Sequence, residues 1–281
     1  MSKRAIKSIV DLVDTKKHEQ RKILKNDPRF PANILRGVFA GASGSGKSNA
    51  ICSMILKGQL NAHRYLIVAP TIKQPVYRVL EDYFEKIDEE KEKAVMREVE
   101  KYNRTHKVKI HPDDVQEYLK PTAIFEFELP QNWLETIEGK ESFLVVLDDC
   151  LCMPRERMKE LTNLFIRGRH KAISLIFASQ AYFLCPRPMR LQCNWVVIFN
   201  GAADREIQMM RQELGGGVDK DTYLRGIRDG IALPYSFVSI DLNKPKPIDR
   251  FKRCDMITPV FRSGSGSDIL DPYSESESES D

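Results

Sequence analysis

The chain has 281 residues, 30% of them charged and 42% hydrophobic, and a formal net charge of +4. That length supports one large α/β domain with a full core and some appendages. No apolar run approaches the ~20 residues of a membrane span, and Met1-Ser2-Lys3-Arg4 does not begin a secretory signal. The chain is therefore expected to stay inside a cell or a virus particle.

The modest net charge conceals an asymmetry. After Arg262 come six acids and no base, which leaves residues 1–262 with 44 bases against 34 acids, a formal +10. A basic body with an acidic tail suggests a polyanionic partner and a segment that competes with it. The six cysteines include no C-x-x-C pair and read as reduced core thiols. Cys150 and Cys152 are the one weak candidate for a metal.

Residues 1–33 form a basic arm, in which Ile6, Ile9, Val10 and Val13 recur at the spacing of a short amphipathic helix. Residues 34–40 read as a buried strand. Residues 48–56 read as a helix with Ile51, Met54 and Ile55 on one face. Between them lies Gly41-Ala42-Ser43-Gly44-Ser45-Gly46-Lys47-Ser48, the pattern G-x-x-x-x-G-K-[ST] in the strand–loop–helix setting that gives it meaning. Glycines let successive backbone N–H groups point inward as a nest for phosphate oxygens, and the helix N-terminus adds partial positive charge. Lys47 is expected to reach the β- and γ-phosphates of ATP and Ser48 to bind Mg²⁺, with Asn49 completing the ATP-binding set.

Further along, residues 64–70 predict a second buried strand, and a helix starts near Pro75. Residues 81–120 are a charged, helical insertion whose His106 and His111 lack ligand-spaced partners and belong at the surface. An edge strand is expected at 123–127 and a short helix at 131–137. The apolar run 143–147 finishes in Asp148 and Asp149, and a helix follows over 154–166 with Met158, Leu161, Leu164 and Phe165 inward. Buried strands at 173–180 and 195–199, a helix over 202–214, a short helix at 223–227 and a strand pair at 236–241 and 250–253 complete the body. Apolar strands alternating with helices make this an α/β fold of P-loop NTPase type, with a mostly parallel sheet covered on both faces. Residues 34–262 form that domain. The Ser/Glu-rich stretch 263–281 cannot bury enough surface to fold and is expected to be disordered.

Hydrolysis needs more than a phosphate cradle. Asp148 and Asp149 end a strand expected to lie beside the first, where Asp148 would hold the Mg²⁺ water shell and Asp149 would act as catalytic base. Gln180 ends the neighbouring strand and is placed to sense the γ-phosphate or orient water. Arg167, Arg169 and Arg190 are candidates for an arginine that reaches the nucleotide of an adjacent subunit. A GTPase is not indicated, because Asn243-Lys244-Pro245-Lys246 carries lysine where guanine recognition needs an acid.

The succession of loop and lysine, acidic pair, strand-end glutamine and nearby arginines resembles the FtsK/HerA class of DNA-translocating ATPases. Within that class the chain is similar to the packaging ATPases of poxvirus-type, virophage and polinton-like double-stranded DNA viruses. The resemblance is carried by residues 41–48, Ala69-Pro70-Thr71, residues 145–149, residues 167–174 with Gln180, Pro186, Arg190, Asn194, residues 195–199, residues 234–237 and Arg250-Phe251, and spans roughly 30–255. It implies a RecA-like core in a ring, a hexamer, with ATP hydrolysed between subunits. Duplex DNA would be drawn through the basic pore, without base readout, into a preformed capsid whose protein is a further partner. It also implies a site of action in an infected host cell, in association with the virion. A P-loop small-molecule or nucleotide kinase and a capsid-associated ATP-binding structural protein are the alternatives. The first would not need a second carboxylate after Asp148, and the intact pair argues against the second.

Overall fold

The computed structural model describes residues 23–31, 34–107, 109–137, 141–150 and 154–261. The expected helix at residues 6–13, Cys152 and the acidic tail lie outside them.

Apolar runs become strands where both of their faces can be covered. The strands are β1 (Arg36–Ala40), β2 (Arg64–Val68), β3 (Ala123–Glu126), β4 (Phe143–Asp148), β5 (Ile173–Ser179), β6 (Trp195–Phe199), β7 (Phe237–Asp241) and β8 (Phe251–Arg253). They form one sheet in the order β3-β2-β4-β5-β1-β6-β7-β8. All pairings from β3 to β6 are parallel, and β7 and β8 close the sheet antiparallel. The expected parallel sheet with a C-terminal strand pair is what forms.

The helices are α1 (Lys47–Leu56), α2 (Pro75–Thr105), α3 (Trp133–Thr136), α4 (Arg155–Arg167), α5 (Arg187–Arg190), α6 (Asp204–Leu214) and α7 (Lys220–Gly230). Successive strand residues point to opposite faces, so each inner strand feeds two cores. Phe39, Ile67, Val146, Ile176 and Val197 pack with Ile51 and Ile55 of α1 and Leu80 and Phe84 of α2. Val38, Leu66, Val145, Leu175 and Val196 pack with Leu161 and Leu164 of α4, Ile207 of α6 and Ile227 of α7.

The structure adds detail to the sequence reading in three places. The short helix expected at 223–227 is eleven residues long, because the Asp219 carboxylate caps it by accepting from the N–H groups of Asp221 and Thr222. The charged stretch begins as the continuation of α2, whose far half builds a small separate cluster in which Val95 and Val99 meet Ile110 and Val115. The described end of the basic arm is anchored to the domain at two points. Phe30 is buried edge-on to Trp195 at 6.1 Å, and the Asp27 N–H donates to the Gln59 carbonyl.

Strand order overturns one expectation outright. β4 does not lie beside β1, because β5 is inserted between them and pairs in parallel with both. Asp148 and Gln180 therefore come from neighbouring strands, and the phosphate loop follows β1 on the far side of the strand that Gln180 ends.

Candidate active site

Because six strands run parallel, their C-terminal ends share one edge of the sheet, and side chains from three loops meet there. The loop after β1 turns tightly against the end of β6. A Cβ on Gly41 would fall 2.6 Å from the Phe199 Cβ, so only glycine fits. Gly46 caps α1 with φ 94°, a left-handed conformation natural to glycine, and no side chain caps the first turn. The N–H groups of that turn therefore open toward the edge, as an anion requires. The Ser45 hydroxyl is buried with no hydrogen-bond partner among the described residues, while Ala42, Ser43, Gly44 and Asn49 are exposed along the cradle.

Lys47 is buried, and its ammonium donates to the carbonyls of Gly41 at 2.7 Å and Ala42 at 2.9 Å. Burial lowers its pKa, and the negative charges of Asp148 and Asp149 act against that. Asp148 is buried at the end of β4. One oxygen, Oδ2, accepts from the Ser48 hydroxyl at 2.5 Å and from the phenol of Tyr77 on α2. Asp149 is exposed, has φ 55°, and is held by its N–H on the Ala178 carbonyl. The Gln180 amide donates to both of its carboxylate oxygens at 3.3 Å.

Lys47, Ser48, Asp148, Asp149 and Gln180 thus converge although they come from three separate strand ends. Sequence reading missed Tyr77. Its neighbours Val76, Leu80 and Phe84 make it look like one more apolar helix position, and its pKa is raised by burial and by Asp148. Cys52 and Cys150, buried beside this carboxylate, are pushed up to about 12 by burial and by the Asp148 charge, which makes them inert core thiols. No group of three His, Cys, Asp or Glu among the described residues could hold a metal.

The arginines divide. Arg167 and Arg169 are exposed and precede β5, on the sheet edge opposite the cradle. Arg190 is engaged within its own chain. Its guanidinium bonds both oxygens of Glu213 at 3.1 Å, donates to the Cys185 carbonyl at 2.7 Å, and lies over the rings of Phe183 and Tyr182. That side chain is 9% exposed.

Fold and site together define a P-loop NTPase whose phosphate loop shares the C-terminal edge of a mostly parallel sheet with Asp148, Asp149 and Gln180. Residues 16–227 match the family described as Poxvirus A32 protein, and the chain belongs to that family. The kinship with poxvirus-type packaging ATPases read from the motifs is met by this match. No curated protein matches the chain. Among solved structures, the DNA-packaging ATPase B204 of Sulfolobus turreted icosahedral virus is similar at 12% identity and a TM-score of 0.45, over 77% of this chain and 95% of B204. VirB4 of Thermoanaerobacter pseudethanolicus is similar at 12% identity and 0.43, over 81% of this chain and 96% of VirB4. The cytoplasmic domain of the type VII secretion ATPase EccC of Thermomonospora curvata follows at 14% and 0.42, over 90% of this chain and 30% of that one. Among the described residues, no helix is long and apolar enough to cross a membrane.

Proposed function

We propose that the chain is the ATP-driven motor that moves double-stranded viral DNA into a preformed capsid in an infected cell. One observation carries the catalytic half of this reading: a buried Lys47 and a Ser48–Asp148 pair share the sheet edge with an Asp149 that Gln180 holds in place. The Lys47 ammonium would turn from its two carbonyls to the β- and γ-phosphates, whose charge outbids a neutral dipole. Asp149, exposed and steadied by Gln180, would accept the proton of the attacking water.

The Ser48 hydroxyl and the Asp148 carboxylate are a hard oxygen pair without histidine or cysteine, the donor set that suits Mg²⁺ shared with substrate phosphates. When bound, that ion would neutralise charge building on the γ-phosphate oxygens. Arg167 and Arg169 can serve ATP only across a subunit boundary, because their own subunit's cradle is on the opposite edge. A ring that sets the N-terminal edge of one sheet against the cradle of the next satisfies this, and a hexamer is the form the kinship favours.

The basic body, +10 over residues 1–262, supplies phosphate contacts without base readout. The test is ATP hydrolysis by the full chain with and without duplex DNA of unrelated sequences. The expected result is stimulation that rises with protein concentration, falls steeply with salt, and ignores sequence. A rate indifferent to DNA and to concentration would overturn the motor while leaving an NTPase.

A further inference from the structure

Strand order fixes which end of a bound triphosphate points where. β5 and β4, bearing Gln180, Asp149 and Asp148, lie on one side of β1, and β6 and β7 lie on the other. The terminal phosphate belongs with the carboxylates, so the nucleoside must leave the cradle toward β6 and β7. An exposed aromatic side chain stands at the cradle on that side. Tyr235, in the loop between α7 and β7, lies against the last glycine of the phosphate loop: a Cβ on Gly46 would sit 3.1 Å from its Cδ1 and 3.7 Å from its Cβ.

Tyr235 is unlike the tyrosines of the core. It is 70% exposed, so the subunit gains little by burying it, and its φ of 62° is a left-handed value rare for a bulky residue. A strained conformation persists only where the surroundings over-determine it, and here they do. The N–H and hydroxyl of Ser236 both donate to the Leu233 carbonyl, at 3.1 and 2.6 Å. Asn200, the residue after β6, donates its N–H to the Ser236 carbonyl at 3.0 Å and its amide to the Ile231 carbonyl at 2.6 Å. The turn is thus braced on the strand beside β1, and the ring it presents is open to solvent and next to the cradle.

We propose that Tyr235 is the stacking platform for the base of the bound nucleoside triphosphate. This rests on the nucleotide reading above and adds to it the group that tells a nucleotide from a bare polyphosphate. An aromatic face takes a base without reading its edge, so the ring gives affinity rather than base choice.

The test is calorimetric binding of ATP and of inorganic triphosphate, each with Mg²⁺, to the full chain and to Tyr235→Asn, Tyr235→Ala and Tyr235→Phe. Asparagine tolerates the left-handed backbone and removes only the ring, so Tyr235→Asn separates stacking from turn collapse. The wild type should bind ATP more tightly than triphosphate. Tyr235→Asn and Tyr235→Ala should weaken ATP by about tenfold, leaving triphosphate within twofold, while Tyr235→Phe keeps both. Unchanged ATP affinity in Tyr235→Asn, or equal loss of ATP and triphosphate, would overturn the proposal with the nucleotide site intact. A wild type that binds neither ligand would bring down the nucleotide reading itself.

Discussion

The two edges of the sheet are made from the same strands and do opposite chemistry. At the C-terminal edge, functional groups hold one another: Ser48 and Tyr77 donate to Asp148, and Gln180 donates to Asp149. At the N-terminal edge, cations hold the body of the protein instead. Arg64 donates to the Pro121 carbonyl, Lys171 to the Leu134 carbonyl and Arg36 to the Gln192 side chain. Burial, reinforced by the like charge of Arg169, lowers the pKa of Arg36, so the positive charge there is crowded. One edge is organised around an anion and a cation together, and the other gathers Arg36, Arg64, Arg169 and Lys171. The parallel part of the sheet separates them by construction, because each of its six strands starts at one edge and ends at the other.

The largest expected effect joins the two edges. Lys47→Ala should bind no nucleotide and show no turnover, and Arg169→Ala should lose ~10³-fold in rate while still binding ATP. Mixed, the two variants should recover part of the activity, because an intact cradle then meets an intact arginine in some pairs of subunits. Without recovery from variants that still assemble, Arg169 does not work across a boundary. Within the C-terminal edge alone, Asp149→Asn should bind ATP normally and slow hydrolysis by ~10²-fold or more. Wild-type single-turnover rates in that variant would remove Asp149 as the base.

A smaller effect tests the inward-held arginine. Arg190→Ala should cost about 1–3 kcal/mol of unfolding free energy, since it strands Glu213 and the Cys185 carbonyl. The sign of its pH dependence follows from Glu213. Burial pushes that carboxyl up, but Arg190 and the Tyr182 phenol win and hold its pKa below the ordinary glutamate range. The resulting stability is present at neutral pH and is lost as pH falls through the depressed value. Denaturant melts of wild type and Arg190→Ala should therefore converge in acid, and a constant gap would refute this. The mildest variant is Tyr77→Phe. It should raise the Mg²⁺ concentration for half-maximal ATPase by about tenfold with kcat nearly unchanged. A fall in melting temperature with no change in Mg²⁺ dependence would reduce Tyr77 to packing.

Much of this was legible in the sequence. The inner strands could be bounded to within a few residues because a strand buried on both faces needs an unbroken apolar run, as at residues 195–199. The cradle was legible because a phosphate nest needs glycine and lysine at fixed spacing. What escaped detection depends on contacts made far along the chain. The insertion of β5 between β1 and β4 leaves no local trace. The bond of Arg190 to Glu213, 23 residues away, is likewise invisible in local sequence. Tyr77 keeps the apolar period of its helix, and only its hydroxyl departs from it. Helix α7 extends beyond the expected 223–227 at both ends, because the Asp219 cap starts it earlier and Gly230 still lies within its last turn.

The length of α2 has a mechanical consequence. Its root touches the Asp148 carboxylate through Tyr77, and its tip at Thr105 is roughly 40 Å away at 1.5 Å per residue. A rod of that length is a lever. A tilt of a few degrees about the tyrosine, too small to break the sheet's packing, would sweep the outlying Val95–Val115 cluster by about 3 Å.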